Sequence, residues 1–369
     1  MSERVVIVGG GAIGLSCAWR AAAAGFAVRL IDEPSPRSGS WVAGGMLAPI
    51  TEAWPGEESL LELGSQSLAR WPAFAERLSA EGGDVGLTAH GTVVAGTDSA
   101  DAEVLDMLAG HLAGVGRQVH EVDAAALREL IPGLGPSVRS GLFVPEDLAV
   151  DNRRLLTALQ EACRVHNVLS HGGHVERVEP GAVTFADGST VDGDVVIVAA
   201  GAWSALLHPA LATAVRPVKG EILRLAHRPG ALPPPVHTVR ARVEGRAVYL
   251  VPRDDGLVLG ATQYEAGFDE GVKVSGVRDL LRDAEVVLPG LAEYSLAEAG
   301  VGFRATSADN LPLIGWVEPG VMVASGHHRN GLLLAPLTAD AVLDLLQGNE
   351  LPDVARPTDA ARLNKERTA

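Results

Sequence analysis

Apolar positions along this chain follow two rhythms. Arg4 to Val8 (R-V-V-I-V) is a continuous β-branched run with a glycine cluster directly after it, the pattern of a strand covered on both faces in a parallel sheet. Ala12 to Ala24 follows as a small-residue helix and Ala27 to Ile31 as a second strand, so the N-terminus predicts a β-α-β unit. From Glu58 to Ala80, Leu60, Leu61, Leu63, Leu68, Trp71, Phe74 and Leu78 recur at roughly helical spacing, which predicts one long amphipathic helix. Between about Val85 and Leu148 short strands, such as Gly91 to Ala95, mix with short helices as a separate layer. Asp151 to His166 reads as a helix capped by Asp151, and Gly193 to Gly201 as a buried strand ending at glycine. Alternation at Glu221 to Leu225, Ala247 to Val251 and Leu257 to Gly260 predicts an antiparallel sheet, with a helix at Val274 to Val287. Val321 to Ala324 reads as a strand and Gly331 to Leu346 as a helix ending near Gly348.

This order implies an α/β fold: a discontinuous Rossmann-like dinucleotide domain (residues 1–84, 149–216 and 300–369) interleaved with an antiparallel-sheet α+β substrate domain (residues 85–148 and 217–299). The length of 369 residues suits two domains, and 47% hydrophobic with 21% charged residues suits compact cores. A net charge of -16 repels phosphate backbones and anionic membrane surfaces, which argues against nucleic-acid and membrane partners. Two cysteines, Cys17 and Cys163, make neither a disulfide framework nor a structural zinc site, so a reducing, cytoplasmic setting is expected. Val5 to Trp19 is uncharged and imitates a secretory leader, but the glycines at 9, 10, 11 and 14 would break the apolar helix a leader needs. Eleven histidines give no H-E-x-x-H or spaced Cys/His set, so no metal is expected.

Gly9-Gly10-Gly11-Ala12-Ile13-Gly14 matches G-x-G-x-x-G after a strand and opening a helix, with Asp32 at the end of the next strand. Gly9 permits the turn, Gly11 lets the backbone approach a pyrophosphate, and Gly14 allows close packing of helix on sheet. Asp32 would take the ribose hydroxyls, with Glu33 the neighbour able to substitute. Cys17 and Trp19 on that helix read as packing residues. The fingerprint serves NAD and FAD alike.

Three further segments narrow the choice. Ser40-Trp41-Val42-Ala43-Gly44-Gly45-Met46-Leu47-Ala48-Pro49, Pro217-Val218-Lys219-Gly220-Glu221, and the stretch from Gly302-Phe303-Arg304 through Asp309 and Pro312 to Gly326-His327-His328-Arg329-Asn330-Gly331 together resemble the FAD-dependent amine oxidases of the D-amino acid oxidase family, and within it the glycine oxidases. The resemblance implies FAD contacts at Gly9, Gly11, Ile13, Gly14, Asp32, Ser40, Trp41, Gly45 and Met46, at backbone near Val175 and Ala200-Gly201, and at His328, Arg329, Asn330, Gly331 and Leu332. It places Arg304, Tyr249 and Arg329 among the substrate-contacting residues. An arginine fork matches a carboxylate bidentately, and a phenol adds one donor.

What the resemblance implies in activity is oxidation of glycine, sarcosine or a small D-amino acid to the imine. Non-covalent FAD takes the electrons, O2 is reduced to hydrogen peroxide, and thiamine thiazole synthesis is the setting. No cysteine after Cys163 is present to attach the flavin. A D-amino acid dehydrogenase with another acceptor and a flavin-binding sensor without turnover are the alternatives, and a homo-oligomer is expected. The sequence departs from the family pattern at Ala305, where Pro is usual, at His328, where Phe is common, and at Gln263, where some members present an apolar side chain. Gln263 either reshapes the substrate pocket or ends a strand in solvent.

Overall fold

The computed structural model describes residues 3–33, 35 and 37–363. In the first strand, Arg4–Val8, Val5 and Ile7 enter one apolar cluster while Val6 and Val8 enter another. A strand with no polar face must be covered on both sides, which a parallel sheet between layers achieves. It pairs in parallel with Val195–Val198 and with Ala27–Asp32. The six-stranded order is Leu313–Glu318, Val321–Ser325, Val195–Val198, Arg4–Val8, Ala27–Asp32 and Leu169–Gly172, with only the first of these antiparallel to its neighbour. Helices Ala12–Ala23, Asn152–Val165 and Ala335–Leu346 cover one face, and a three-stranded antiparallel layer (Val175–Glu179, Ala182–Phe185, Thr190–Asp192) covers the other. Asp151 caps its helix as expected, accepting from the amides of Arg153 and Arg154.

The long helix expected from Glu58 to Ala80 is two helices, Glu58–Leu68 and Trp71–Gly82. Pro72 is the reason: it has no N–H to return to Leu68, yet is tolerated in the first turn of a new helix. Restarting there buries Trp71, whose indole donates to Leu333 O at 3.0 Å. The helix expected from Gly331 starts at Ala335 instead. Pro336 would be unable to bond back to Leu332 O, which accepts from the Ala335 amide, and residues 331–334 form a turn.

The eight-stranded sheet runs Ser295–Thr306, Arg216–Ala226, Gly256–Gly260, Arg246–Arg253, Thr238–Val243, Thr92–Gly96, Ser140–Val144, His120–Asp123. It is antiparallel except where Thr238–Val243 meets Thr92–Gly96. Strand Ser295–Thr306 pairs with Arg216–Ala226 along its length, so the boundary expected at residue 300 falls inside a strand and Arg304 stands on the large sheet. Helix Val274–Val287 packs Leu280, Ala284 and Val287 on one face of this sheet. No helix of the described residues is long and apolar enough to cross a membrane.

Candidate active site

A cavity of about 1590 Å3 extends from the glycine loop to the face of the large sheet. At its nucleotide end, Gly9 has φ +115°, and a Cβ there would lie 2.4 Å from Ala199 O. Gly14 touches the same loop from the helix side: its Cβ would fall 1.9 Å from Gly9 O. Gly14 therefore packs helix against loop and does not line the cavity. At Gly11 a Cβ would meet only Ser40 Oγ, at 3.2 Å, so a larger side chain would grow into the channel.

Asp32 lines the cavity, but one oxygen is already engaged, accepting from the Gly10 amide at 2.8 Å. Burial raises its pKa, opposed by bonds from the amides of Gly10 and Glu33. Its second oxygen is the one left for a ligand. Glu33 stands exposed beside it, paired with His174 Nδ1 at 2.7 Å. Ser40 Oγ accepts from the Ala12 amide at 2.9 Å, tying the second segment to the helix start. Trp41 is stacked by Arg153, with the guanidinium 4.2 Å from the ring centre.

Ile13, Gly45, Met46, Val175, Ala200, Gly201, His328, Gly331 and Leu332 also line the cavity, whereas Asn330 lies outside it. The amides of Gly331, Leu332 and Leu333 have no backbone acceptor among the described residues, because regular helix begins only at Ala335. A row of free donors suits an electron-rich ring edge. Glycine loop, free carboxylate oxygen and free amides thus fit an extended dinucleotide. Cys17 and Cys163 are buried outside the cavity, and burial pushes both thiols up to about 12.

At the other end, Tyr249 on strand Arg246–Arg253 lies between two close backbones. A Cβ on Gly44 would come 2.7 Å from its ring, and one on Gly260 2.4 Å. Its hydroxyl makes no hydrogen bond among the described residues, and burial raises its pKa. Arg304 extends over Gly220, whose Cβ would come 2.6 Å from Nη1. It donates to Thr262 O at 3.2 Å and, longer, to Lys219 O at 3.5 Å, and has no carboxylate partner among the described residues. Burial lowers its pKa, Tyr249 opposes this, and Arg329 adds to it. Arg329 is exposed at the same cavity and reaches Gln263 Oε1 at 3.4 Å.

Sequence reasoning missed what supports this end. Lys219 is fully buried, with Nζ 2.7 Å from Asp269 and a bond to Gly271 O. Glu221, two residues on, accepts from the Lys273 amide at 2.7 Å. Together they fasten the segment 262–273 against the strand. Alternation of charged residues with Gly220 in the Pro217 to Glu221 motif was the available signal. Glu52 and Arg240, paired at 2.7 Å, line the cavity beside Thr51, whose hydroxyl donates to fully buried Asp147 at 3.0 Å. Thr51 and Glu52 are neighbours, but Asp147 and Arg240 lie far from them and from each other in sequence, and no local pattern joins the three stretches. Among the described residues no group of three or more His, Cys, Asp or Glu side chains could hold a metal ion.

A family model described as FAD dependent oxidoreductase (DAO) matches residues 4–345. Glycine oxidase of Pseudomonas putida is 32% identical over 369 residues, covering 95% of this chain and 96% of its own. Bifunctional protein ThiO/ThiG of Nostoc sp. is 32% identical over 360 residues, and this chain spans about half of its length (53%) while 94% of this chain is covered. The crystal structure of glycine oxidase from Geobacillus kaustophilus superposes with a TM-score of 0.89 at 30% identity, covering 98% of this chain and 99% of that one.

Proposed function

The chain belongs to the DAO family of FAD dependent oxidoreductases, and on that premise we propose that it oxidises glycine, or a similarly small amine, to the imine, with O2 as the final electron acceptor. The observation that carries this reading is the pair Arg304 and Tyr249: among the described residues, a guanidinium without a carboxylate and a phenol without a hydrogen bond, lining the same cavity. A substrate carboxylate would supply both with their missing acceptor. FAD, when bound, would supply the two-electron acceptor for this oxidation, with O2 reduced to hydrogen peroxide as the final product.

The chain's own residues bind and orient. Arg304 and Tyr249 fix the carboxylate, which limits how the α-carbon can present its C–H bond. Once the amine is neutral no side chain is needed as a base. Gly9, Gly11, Asp32, Ser40 and Gly45 would hold the nucleotide half of the cofactor, and the free amides of Gly331 and Leu332, which line the cavity, its electron-rich ring. The buried thiols outside the cavity support a non-covalent flavin, released by acid precipitation. Likeness to ThiO-type relatives supports a role in making the glycine imine for thiamine's thiazole ring.

The test is a substrate panel on the purified holoenzyme. Among amines with a single carboxylate, glycine and sarcosine should be oxidised best, small D-amino acids next, with bleaching of the flavin band without air and peroxide release in air. A tenfold advantage in kcat/KM for D-phenylalanine or D-lysine over glycine, about 1.4 kcal/mol of transition-state binding, would sink the substrate assignment. Bleaching without peroxide in air would favour the dehydrogenase.

A further inference from the structure

Six arginines line the cavity: Arg37, Arg240, Arg242, Arg246, Arg304 and Arg329. Four have a carboxylate: Arg37 has Glu270 at 2.9 Å, Arg240 has Glu52 at 2.7 Å, Arg246 has Asp283 at 2.8 Å, and Arg242 has Asp101 at 3.9 Å. Arg304 and Arg329 have none among the described residues, in a chain where 46 acidic residues face 30 basic ones. The two unpaired cations are also neighbours. Thr262 O anchors Arg304 and the Gln263 side chain anchors Arg329, so adjacent residues of one segment hold both guanidinium groups. His328, which senses both, is pushed down to about 3 by burial, then by Arg329 and Arg304, so it stays neutral and adds no charge.

Two like charges at one cavity repel unless anions separate them, and a single carboxylate satisfies a single fork. Arg304 with Tyr249 already accounts for the carboxylate next to the reacting carbon. Arg329 is left with its donors and with Gln263, whose Oε1 is turned to Arg329 and whose Nε2 is therefore a further donor. We propose that Arg329 and Gln263 form a second anion subsite, so that this site favours small amino acids bearing two carboxylates. The inference rests on the reading of Arg304 as the residue that holds the first carboxylate. Arg329 is exposed, so the gain is that of a solvent-screened charge pair, about two- to fivefold.

Matched ligands isolate the second carboxylate. Iminodiacetate differs from sarcosine, and D-aspartate from D-alanine, by one carboxylate, on the nitrogen arm or the α-carbon arm respectively. In the holoenzyme at least one ratio of kcat/KM, dicarboxylate over monocarboxylate, should exceed one. That ratio should fall about two- to fivefold in Arg329→Gln and recover in part in Arg329→Lys. Malonate and acetate, titrated against the flavin absorption band, give the same comparison without turnover, and malonate's advantage should shrink with salt and in Arg329→Gln. Both ratios at or below one, or a favourable ratio that Arg329→Gln leaves unchanged, would overturn the subsite. Malonate binding tighter than acetate in an enzyme that does not oxidise glycine would uphold the subsite and reject the oxidase reading. Glycine oxidation with no malonate advantage would do the reverse.

Discussion

Replacing Arg304 with alanine separates a binding role from a structural one. Of the guanidinium's five N–H groups, the two observed bonds both leave from Nη1, toward Thr262 O and Lys219 O. Nη2 and Nε remain for a carboxylate. Two charge-assisted bonds at about 1.5 kcal/mol each give roughly 3 kcal/mol, or about 150-fold in kcat/KM for glycine. The folded state should not suffer equally, because a half-buried cation with no counter-charge among the described residues is an electrostatic liability to the free protein. Tm of Arg304→Ala is therefore expected to hold or rise, and flavin content to stay near wild type. Arg304→Lys should regain only part of the activity, since an ammonium lacks the planar fork. Steady-state kinetics beside flavin absorbance and a thermal melt decide the matter. A variant that loses FAD, or melts well below wild type, would show that Arg304 holds the fold, and unchanged kinetics would remove it from the site.

In the glycine loop, Gly11→Leu should fold yet fail to retain FAD, whereas Gly14→Ala should lower Tm of the apoprotein as well, because its Cβ meets backbone at 1.9 Å; equal melts for both would contradict the division of roles. Gly44→Ala should push the Tyr249 ring from its place and raise KM for glycine by about fivefold or more, from a clash of roughly 1–3 kcal/mol, and an unchanged KM would show that the phenol is not held there for substrate. Burial raises the Asp147 carboxyl to about 7, so the folded protein keeps a proton that the unfolded chain releases above about pH 4. That stabilising contribution is full below about pH 4 and is lost as pH rises through about 7, so Asp147→Asn should raise Tm more at about pH 8 than at about pH 5. Equal increments at the two pH values would place the carboxyl in its ordinary range.

The nucleotide end was readable because its chemistry is local. Gly9 to Gly14, the strand before them and Asp32 lie within one β-α-β unit, and each residue's duty follows from a turn, a contact or a charge in that unit. Helix Val274–Val287 was equally plain, since its apolar spacing is that of its buried face. Where proline intervened, periodicity misled: hydrophobic spacing runs through Trp71 and Gly331 without registering that Pro72 and Pro336 lack an N–H. The substrate end was readable only through likeness to a family. Tyr249, Arg304 and Gly44 come together across three separate elements, and no spacing along the chain foretells that a ring will rest against Gly44. The burial of Asp147 and of Lys219 was hidden for a related reason, although Lys219 stood in a recognised motif, since a charged residue in a sequence reads as solvated until its burial is seen.

The six-stranded sheet gathers its strands from three distant stretches of chain, and this has a consequence for how the protein is made. Arg4–Val8 and Ala27–Asp32 leave the ribosome first, but the neighbours that complete the layer on one side are Val195–Val198 and, last of all, Val321–Ser325. Helix Ala335–Leu346, which packs on Ala12–Ala23, is later still. A nascent chain therefore carries its nucleotide loop on an unfinished sheet until Val321–Ser325 has been made, and the long-range closure that finishes it is slow and exposed to aggregation. The cofactor meets a finished sheet only after those late strands are in place, and it stabilises that state by mass action. Soluble yield should then track the flavin supply of the cell during expression, a demand placed on the host by strand order rather than by catalysis.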